Sequence, residues 1–316
     1  MEELISVVVA CYNIKEYITR CLESLVAQSY RNIEIICVDD GSTDGSSDIC
    51  DKIAEKDERV IVFHNQNMGL SDARNFGLSM CSGNYITFID GDDWVDSNYI
   101  EMLFRYLKEN KSDISIVNFY IDTGTEKKPF YSGSNEFVFD AKHALLELFY
   151  QKKYDVSAWG KLYKKSLFND VKYPSGKLYE DNGTTYKIFM KAKKVSFCNK
   201  PAYHYFVRHD SITHRAFNPN KIDGFVLSSQ MIKDIEIYDK TIISAAVCKH
   251  LSVCFDLFMQ CNGLEPYSSQ LFREIKKYRF KVIFNKKSRL KNKIACMISY
   301  FGEKVSLKLL RLMKGK

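Results

Sequence analysis

The chain has 316 residues, enough for one large domain or two ordinary ones, and 46 % apolar with 27 % charged residues excludes global disorder. The formal charge of +7 is uneven: from Arg273 onward 15 Lys or Arg stand against 2 Asp or Glu, a net +13 that leaves −6 for the rest. Ten cysteines without a CxxC pair argue against a disulfide frame or a zinc site and predict reduced thiols in a cytosolic protein.

The chain opens MEELISVVVACYN, with no basic segment, so no signal peptide is expected. No apolar stretch is expected to reach the roughly 18 residues needed to span a bilayer. The β-branched run Ile5 to Cys11 predicts a buried strand. Ile14, Tyr17, Ile18, Cys21, Leu22, Leu25 and Val26 recur at helical spacing, with Asn13 placed to cap that helix. Ile33 to Val38 predicts a second strand, Ile49 to Ala54 a helix, Val60 to Phe63 a third strand, Leu70 to Cys81 a helix and Tyr85 to Ile89 a fourth strand. Strands alternating with helices across short turns predict a parallel sheet covered on both faces, with ligands beyond the carboxyl ends of its strands. A helix over 99–108, a strand over 113–119, a hairpin or turn within 122–136 and a helix over 141–150 follow; from Asn218 on mostly helices are expected.

Carboxylates collect at these strand ends: Asp39 and Asp40, Asp72 beyond the third strand, and Asp90, Asp92, Asp93 and Asp96 in YITFIDGDDWVD. Gathering them at one cleft is costly unless a cation is present, and a divalent ion held by one or two carboxylates plus substrate phosphates fits so sparse a set. Asp and Gly also simply make good turns, although DGDD directly after an apolar strand favours the site. DDGSTDGSSDICD has carboxylates at EF-hand spacing, but a strand precedes it and its last ligand is Asp; a turn that contacts a nucleotide is the better reading. Neither G-x-G-x-x-G nor a P-loop is present. Tyr12 either stacks on a base or packs on the following helix. Trp159 offers a sugar-ring face or belongs to the core, with Lys161 beside it as an acceptor-side candidate. Arg208 and Ser211 in VRHDSIT are candidates to close over a diphosphate, while His204 and His209 read as structural. Cys248, Cys254 and Cys261 recur about two helical turns apart and read as core lining.

The series SVVVACYN, IICVDDGSTDGS, NMGLSDARNFGL and YITFIDGDDWVD resembles, in order and spacing, the family 2 glycosyltransferases of the GT-A, nucleotide-diphospho-sugar fold. SAWGKLYKKSLF, YPSGKLYEDNGTTYKIF and AYHYFVRHDSIT extend the resemblance over residues 4–213, to bacterial members that build surface glycans. It implies an α/β fold with a mixed, mostly parallel, Rossmann-like sheet. A catalytic domain over 1–217 would divide into a nucleotide-binding half, 1–97, and an acceptor half, 98–217. A helical basic region over 218–316 would follow. The resemblance also implies that Ala10, Tyr12, Asn13, Asp40, Asp72, Arg74 and Gly91 bind the nucleotide sugar, with Arg74 offsetting the charge of the diphosphate. Asp90 and Asp92 would form the DxD pair, Asp92 the direct ligand of Mn2+ or Mg2+. Asp181 would be the general base, next to Glu180 on the acceptor side. Ala10 stands where relatives often have Pro, and Asn182-Gly183 where they are commonly acidic or aromatic.

The expected activity is an inverting, metal-dependent transfer of a hexose or N-acetylhexosamine from a UDP-sugar to a glycan, glycoprotein or lipid-linked acceptor, in the cytoplasm or on the inner face of the plasma membrane. No nucleic acid partner is expected; a homo-oligomer is compatible. A nucleotidyltransferase and a non-catalytic sugar-nucleotide-binding subunit are the alternatives. ACYNIKEY lacks the Gly-rich basic loop of the former, and an intact DGDD with an ED pair argues against the latter. In the tail, Leu290, Ile294, Met297, Ile298, Phe301, Val305, Leu309 and Leu312 alternate with lysines as a basic amphipathic helix broken at Gly302. Such a helix either lies on an anionic membrane or packs its apolar stripe on protein.

Overall fold

The computed structural model describes residues 3–208 and 216–313. The chain divides into two compact units: Met1–Ala144 with Ser157–Gly176 and Lys187–His209, and Leu145–Val156 with Lys177–Tyr186 and Asp210–Lys316.

The first unit is built on parallel strands β1 (Ile5–Cys11), β2 (Ile33–Asp39), β3 (Val60–His64) and β4 (Tyr85–Asp90), with β1 between β2 and β4. Helices α1 (Lys15–Val26), α2 (Ser46–Ala54) and α3 (Leu70–Met80) connect them. β1, β2 and β4 are almost wholly buried, as continuous β-branched runs require when both sheet faces are covered. α1 buries Ile18, Cys21, Leu22 and Leu25, the face that the periodicity predicts.

Asn13 does not cap α1. Ile14 occupies the cap position, and Asn13 sits in the left-handed region at φ +50°. Its backbone N–H donates to Ser42 Oγ (3.0 Å), and its Oδ1 accepts from the Thr43 N–H (2.8 Å). The turn after β2 thus offers this short amide closer partners than the helix does.

The sheet continues through β5 (Trp94–Val95), β6 (Ile114–Asp122), β7 (Lys127–Pro129), β8 (Phe137–Asp140), β9 (Lys161–Lys164) and β10 (Lys194–Phe206), with α4 (Tyr99–Glu109) against β6 and β10. Its main path is β3-β2-β1-β4-β9-β6-β10-β5, with β7 added on β6 and β8 on β10. The long ladders are parallel and the short ones antiparallel, which bears out the mixed sheet. β5, β8, β9 and β10 were not expected from the sequence pattern. β10 breaks register around Pro201, which has no N–H for the ladder.

In the second unit, the end of α5 (Ala141–Tyr150), from Leu145, and the start of α6 (Glu180–Lys191) join α7 (Asp223–Tyr238), α8 (Ile243–Cys261), α9 (Tyr267–Ile283), α10 (Leu290–Ile298) and α11 (Glu303–Met313). α8 packs between α7 and α9 and buries Cys248, Cys254 and Cys261, as core lining requires. One expectation is corrected here: Lys240–Cys261 is long and apolar enough to cross a membrane by length and composition. Lys249 and Asp256 interrupt it in sequence. It is mostly buried as a core helix.

Candidate active site

Strand register brings the carboxyl ends of β1 to β4 to one edge. Ala10 pairs with Asp90 and with Val38, Cys11 with Asp39, and Asp39 with His64. The turn after β4 is bonded to the end of β1, because the Gly91 N–H donates to the Ala10 carbonyl (3.2 Å). The Asp40 N–H donates likewise to the Cys11 carbonyl (2.8 Å).

Each carboxylate of DGDDWVD has a separate partner. Arg74, buried on α3, donates to Asp90 Oδ1 at 2.7 Å. Arg208 Nε lies 2.9 Å from Asp92 Oδ2. Asp93 is buried and accepts from the Tyr203 hydroxyl (2.6 Å) and the Phe206 N–H (2.7 Å). Burial first, then the charges of Asp92 and Asp90, push its carboxyl well above the ordinary value. Asp96 meets His204 Nε2 at 2.9 Å, and His204 stacks on Trp94 at 4.8 Å. The Arg20 guanidinium lies over the Trp94 ring, 3.4 Å from its centre. Asp93, expected among the carboxylates that a cation makes tolerable, is held instead by Tyr203 and the Phe206 N–H, and neither Tyr203 nor Arg20 was expected here.

Around β2, Asp40 is buried and accepts from the Met68 and Gly69 N–H groups at 3.0 and 2.8 Å, at the start of α3. Asp39 accepts from Ser42, Ser47 and His64. Burial raises its carboxyl, but those hydrogen bonds outweigh burial and hold it below the ordinary value. Asp44 Oδ1 accepts from Ser46, its Oδ2 accepts from the Lys15 N–H, and Asp51 pairs with His64. With α2 beginning at Ser46, these carboxylates turn to different partners rather than around one ion, which is against the EF-hand. Tyr12, just past β1, is 47 % exposed.

Asp72 accepts from Ser175 Oγ at 2.7 Å. Trp159 is a core ring: it is buried and stacks on Tyr203 at 4.4 Å and on Tyr205 at 5.5 Å. Lys161 is buried too, its ammonium donating to the carbonyls of Ser157 (2.7 Å) and Trp159 (3.2 Å). Neither is available as an acceptor wall. Ser211 and His209 lie outside the described residues.

Asp181 stands in the second unit, half-buried in the first turn of α6 beside the buried Glu180 and Asn182. Asn182 Oδ1 is buried without a hydrogen-bond partner among the described residues. The same unit buries Lys249 on α8; burial lowers its ammonium to about 8, against the pull of Asp155, Asp256 and Asp181.

Among the described residues no group of three or more His, Cys, Asp or Glu is arranged to hold a metal ion. Asp90 and Asp92 nevertheless fit a hard divalent cation whose remaining ligands are phosphate oxygens. Their oxygens are of the right type, and both carboxylates are only partly covered.

Residues 6–172 match the family model described as Glycosyl transferase family 2. The chain is similar to glycosyltransferase GlyA of Streptococcus pneumoniae serotype 4, 38 % identical over 232 residues. That match covers 67 % of this chain and 32 % of GlyA, so the chain spans about a third of that relative. Glycosyltransferase GlyG of the same organism is 39 % identical over 228 residues, covering 69 % of this chain and 75 % of GlyG. In fold the chain is similar to S. aureus TarS 1–349 in complex with UDP-GlcNAc, with TM-score 0.73 and 18 % identity over 100 % of this chain and 93 % of that one. A doubly covered parallel sheet with DGDD at its carboxyl edge, and relatives that match over two thirds of the sequence, lead to one assignment: the chain belongs to glycosyl transferase family 2, with the GT-A fold.

Proposed function

We propose that the chain is an inverting glycosyltransferase that moves a hexose or N-acetylhexosamine from a UDP-sugar to a glycan, glycoprotein or lipid-linked acceptor in the synthesis of a bacterial surface glycan. The observation that carries this reading is the DGDD turn, whose Asp90 and Asp92 each face an arginine at the carboxyl edge of the sheet. UDP-GlcNAc in the TarS complex supports the donor class.

In this reading Tyr12 offers its exposed ring to the uracil, and Asp40, whose carboxylate has lone pairs beyond its two backbone contacts, accepts from the base. Asp92 and Asp90 would hold Mn2+ or Mg2+, which when bound supplies positive charge to the departing diphosphate. Arg74 and Arg208 compensate the acidic turn, and as guanidinium groups they are suited to a diphosphate's charge as well. Asp181 takes the proton of the acceptor hydroxyl. The acceptor oxygen then bonds to the anomeric carbon as the bond to UDP breaks, its electron pair leaving with the diphosphate, and the configuration inverts.

The test is a panel of UDP-sugars with the purified chain and Mn2+, read by release of UDP. Release from one donor, increased by acceptor, is the expected result. No release from any UDP-sugar, with release from another nucleotide sugar, would overturn the donor class.

A further inference from the structure

The tail of the second unit leaves most of its large apolar residues off the side by which it packs. α10 buries Asn292, Ala295 and Cys296, and α11 buries Ser306 and Leu310. The predicted stripe stays largely in solvent: Leu290 is 72 % and Phe301 68 % exposed, and Val305, Leu309 and Leu312 are exposed as well. The end of α9 adds Phe280 and Phe284, 63 % and 68 % exposed, with ring centres 4.5 Å apart. Lys281, Lys286, Lys287 and Lys291 of the same segments are exposed too. Apart from the half-buried Ile294 and Ile298, the stripe is therefore not the face on which these helices rest within the chain.

Large exposed apolar side chains within a basic surface need a particular occupant. A second copy would bring another +13 against the first, and like charges across an interface are repelled. A nucleic acid would pair with the lysines but leave Leu290, Leu309 and Leu312 wet. An anionic bilayer answers both features, since its phosphates attract the lysines and its acyl boundary receives the apolar side chains. We propose that the surface formed by the end of α9 with α10 and α11 docks in the headgroup plane of an anionic lipid bilayer, with Phe280, Phe284, Leu290 and Phe301 inserted. This rests on the surface of the helical unit and does not require the reaction above.

The experiment mixes the full chain with phosphatidylcholine vesicles, with and without phosphatidylglycerol. Co-sedimentation is expected only with phosphatidylglycerol and weakens as salt rises. Lys281→Gln with Lys286→Gln and Lys287→Gln lowers the partition by about 10²-fold, each lysine near the surface contributing about fivefold. Phe280→Ser with Phe284→Ser lowers it by more than about tenfold at unchanged circular dichroism. In a Phe284→Trp variant, emission in excess of wild type shifts to the blue on anionic vesicles. Absence of binding to anionic vesicles overturns the proposal. So does binding that the serine pair leaves unchanged without a blue shift, or a dimer in sedimentation velocity that Phe280→Ser dissolves.

Discussion

Gly91 sits between Asp90 and Asp92, and its packing makes Gly91→Ala an informative perturbation. A Cβ placed there would lie 2.5 Å from Ile14 Cδ1 and 2.8 Å from the Ala10 carbonyl oxygen. The isoleucine tip can rotate away. The carbonyl cannot: it belongs to β1 and accepts the Gly91 N–H itself. Ordinary contact begins at 3.4 Å, so the turn must back off the strand by about 0.6 Å. Overpacking of this kind costs about 1–3 kcal/mol. For a unit of this size that corresponds to a Tm lower by about 2–12 °C in differential scanning fluorimetry. The shift also carries Asp90 and Asp92 away from Ala10, and displacements approaching 1 Å at reacting groups cost up to about 10²-fold, so UDP release should fall by about tenfold or more. A Gly91→Ala protein with wild-type Tm and wild-type UDP release would refute the argument that this glycine is held by close approach to β1.

Exhaustive chelation should abolish UDP release and Mn2+ or Mg2+ restore it, and Asp92→Asn should remove most turnover; full activity in the chelated protein would defeat the metal reading. Asp181→Asn should lower kcat by about 10²-fold or more while UDP affinity persists, since a general base contributes at least that much. Collapse of UDP affinity with normal residual turnover would make Asp181 a donor ligand instead. His64 is raised above its ordinary 6.5, first by its hydrogen bond to Asp39. Its contribution to stability is therefore complete below 6.5 and disappears as pH rises through the higher folded value. His64→Gln should accordingly flatten the fall of Tm as pH rises above 6.5, and an unchanged profile would assign that fall elsewhere.

β1 to β4 and their helices were legible in sequence because each strand is a continuous apolar run and each connection is short. β4, expected over 85–89, runs to Asp90, and α3, expected over 70–81, ends at Met80. β9 and β10 were not legible. KLYK is too short and polar to show a period, and KVSFCNKPAYHYF is interrupted by Pro201, so only neighbouring strands define either. The acidic turn was visible as composition, but the partners that make it tolerable were not. Tyr203 is 110 residues from Asp93, and no local pattern links them. Trp159 shows the limit from the other side: an aromatic before Gly160 reads equally as a sugar platform or a core ring, and only the stack on Tyr203 decides.

The ten free cysteines are all buried. Burial foremost, with neighbouring negative charge behind it, raises Cys21 and Cys254 well above the ordinary thiol value, and Cys296 to about 12. A thiol so placed has neither the exposure nor the thiolate fraction to react with an alkylating reagent while the fold is closed. Labelling therefore waits on opening, and its rate reports the opening equilibrium of the surrounding segment. Six of the sulfurs, from Cys11 to Cys198, belong to the first unit and four, from Cys248 to Cys296, to the second. Pulse alkylation read by peptide mass would then time the opening of the two units separately in one unmodified sample, with the chain's own sulfur as the clock.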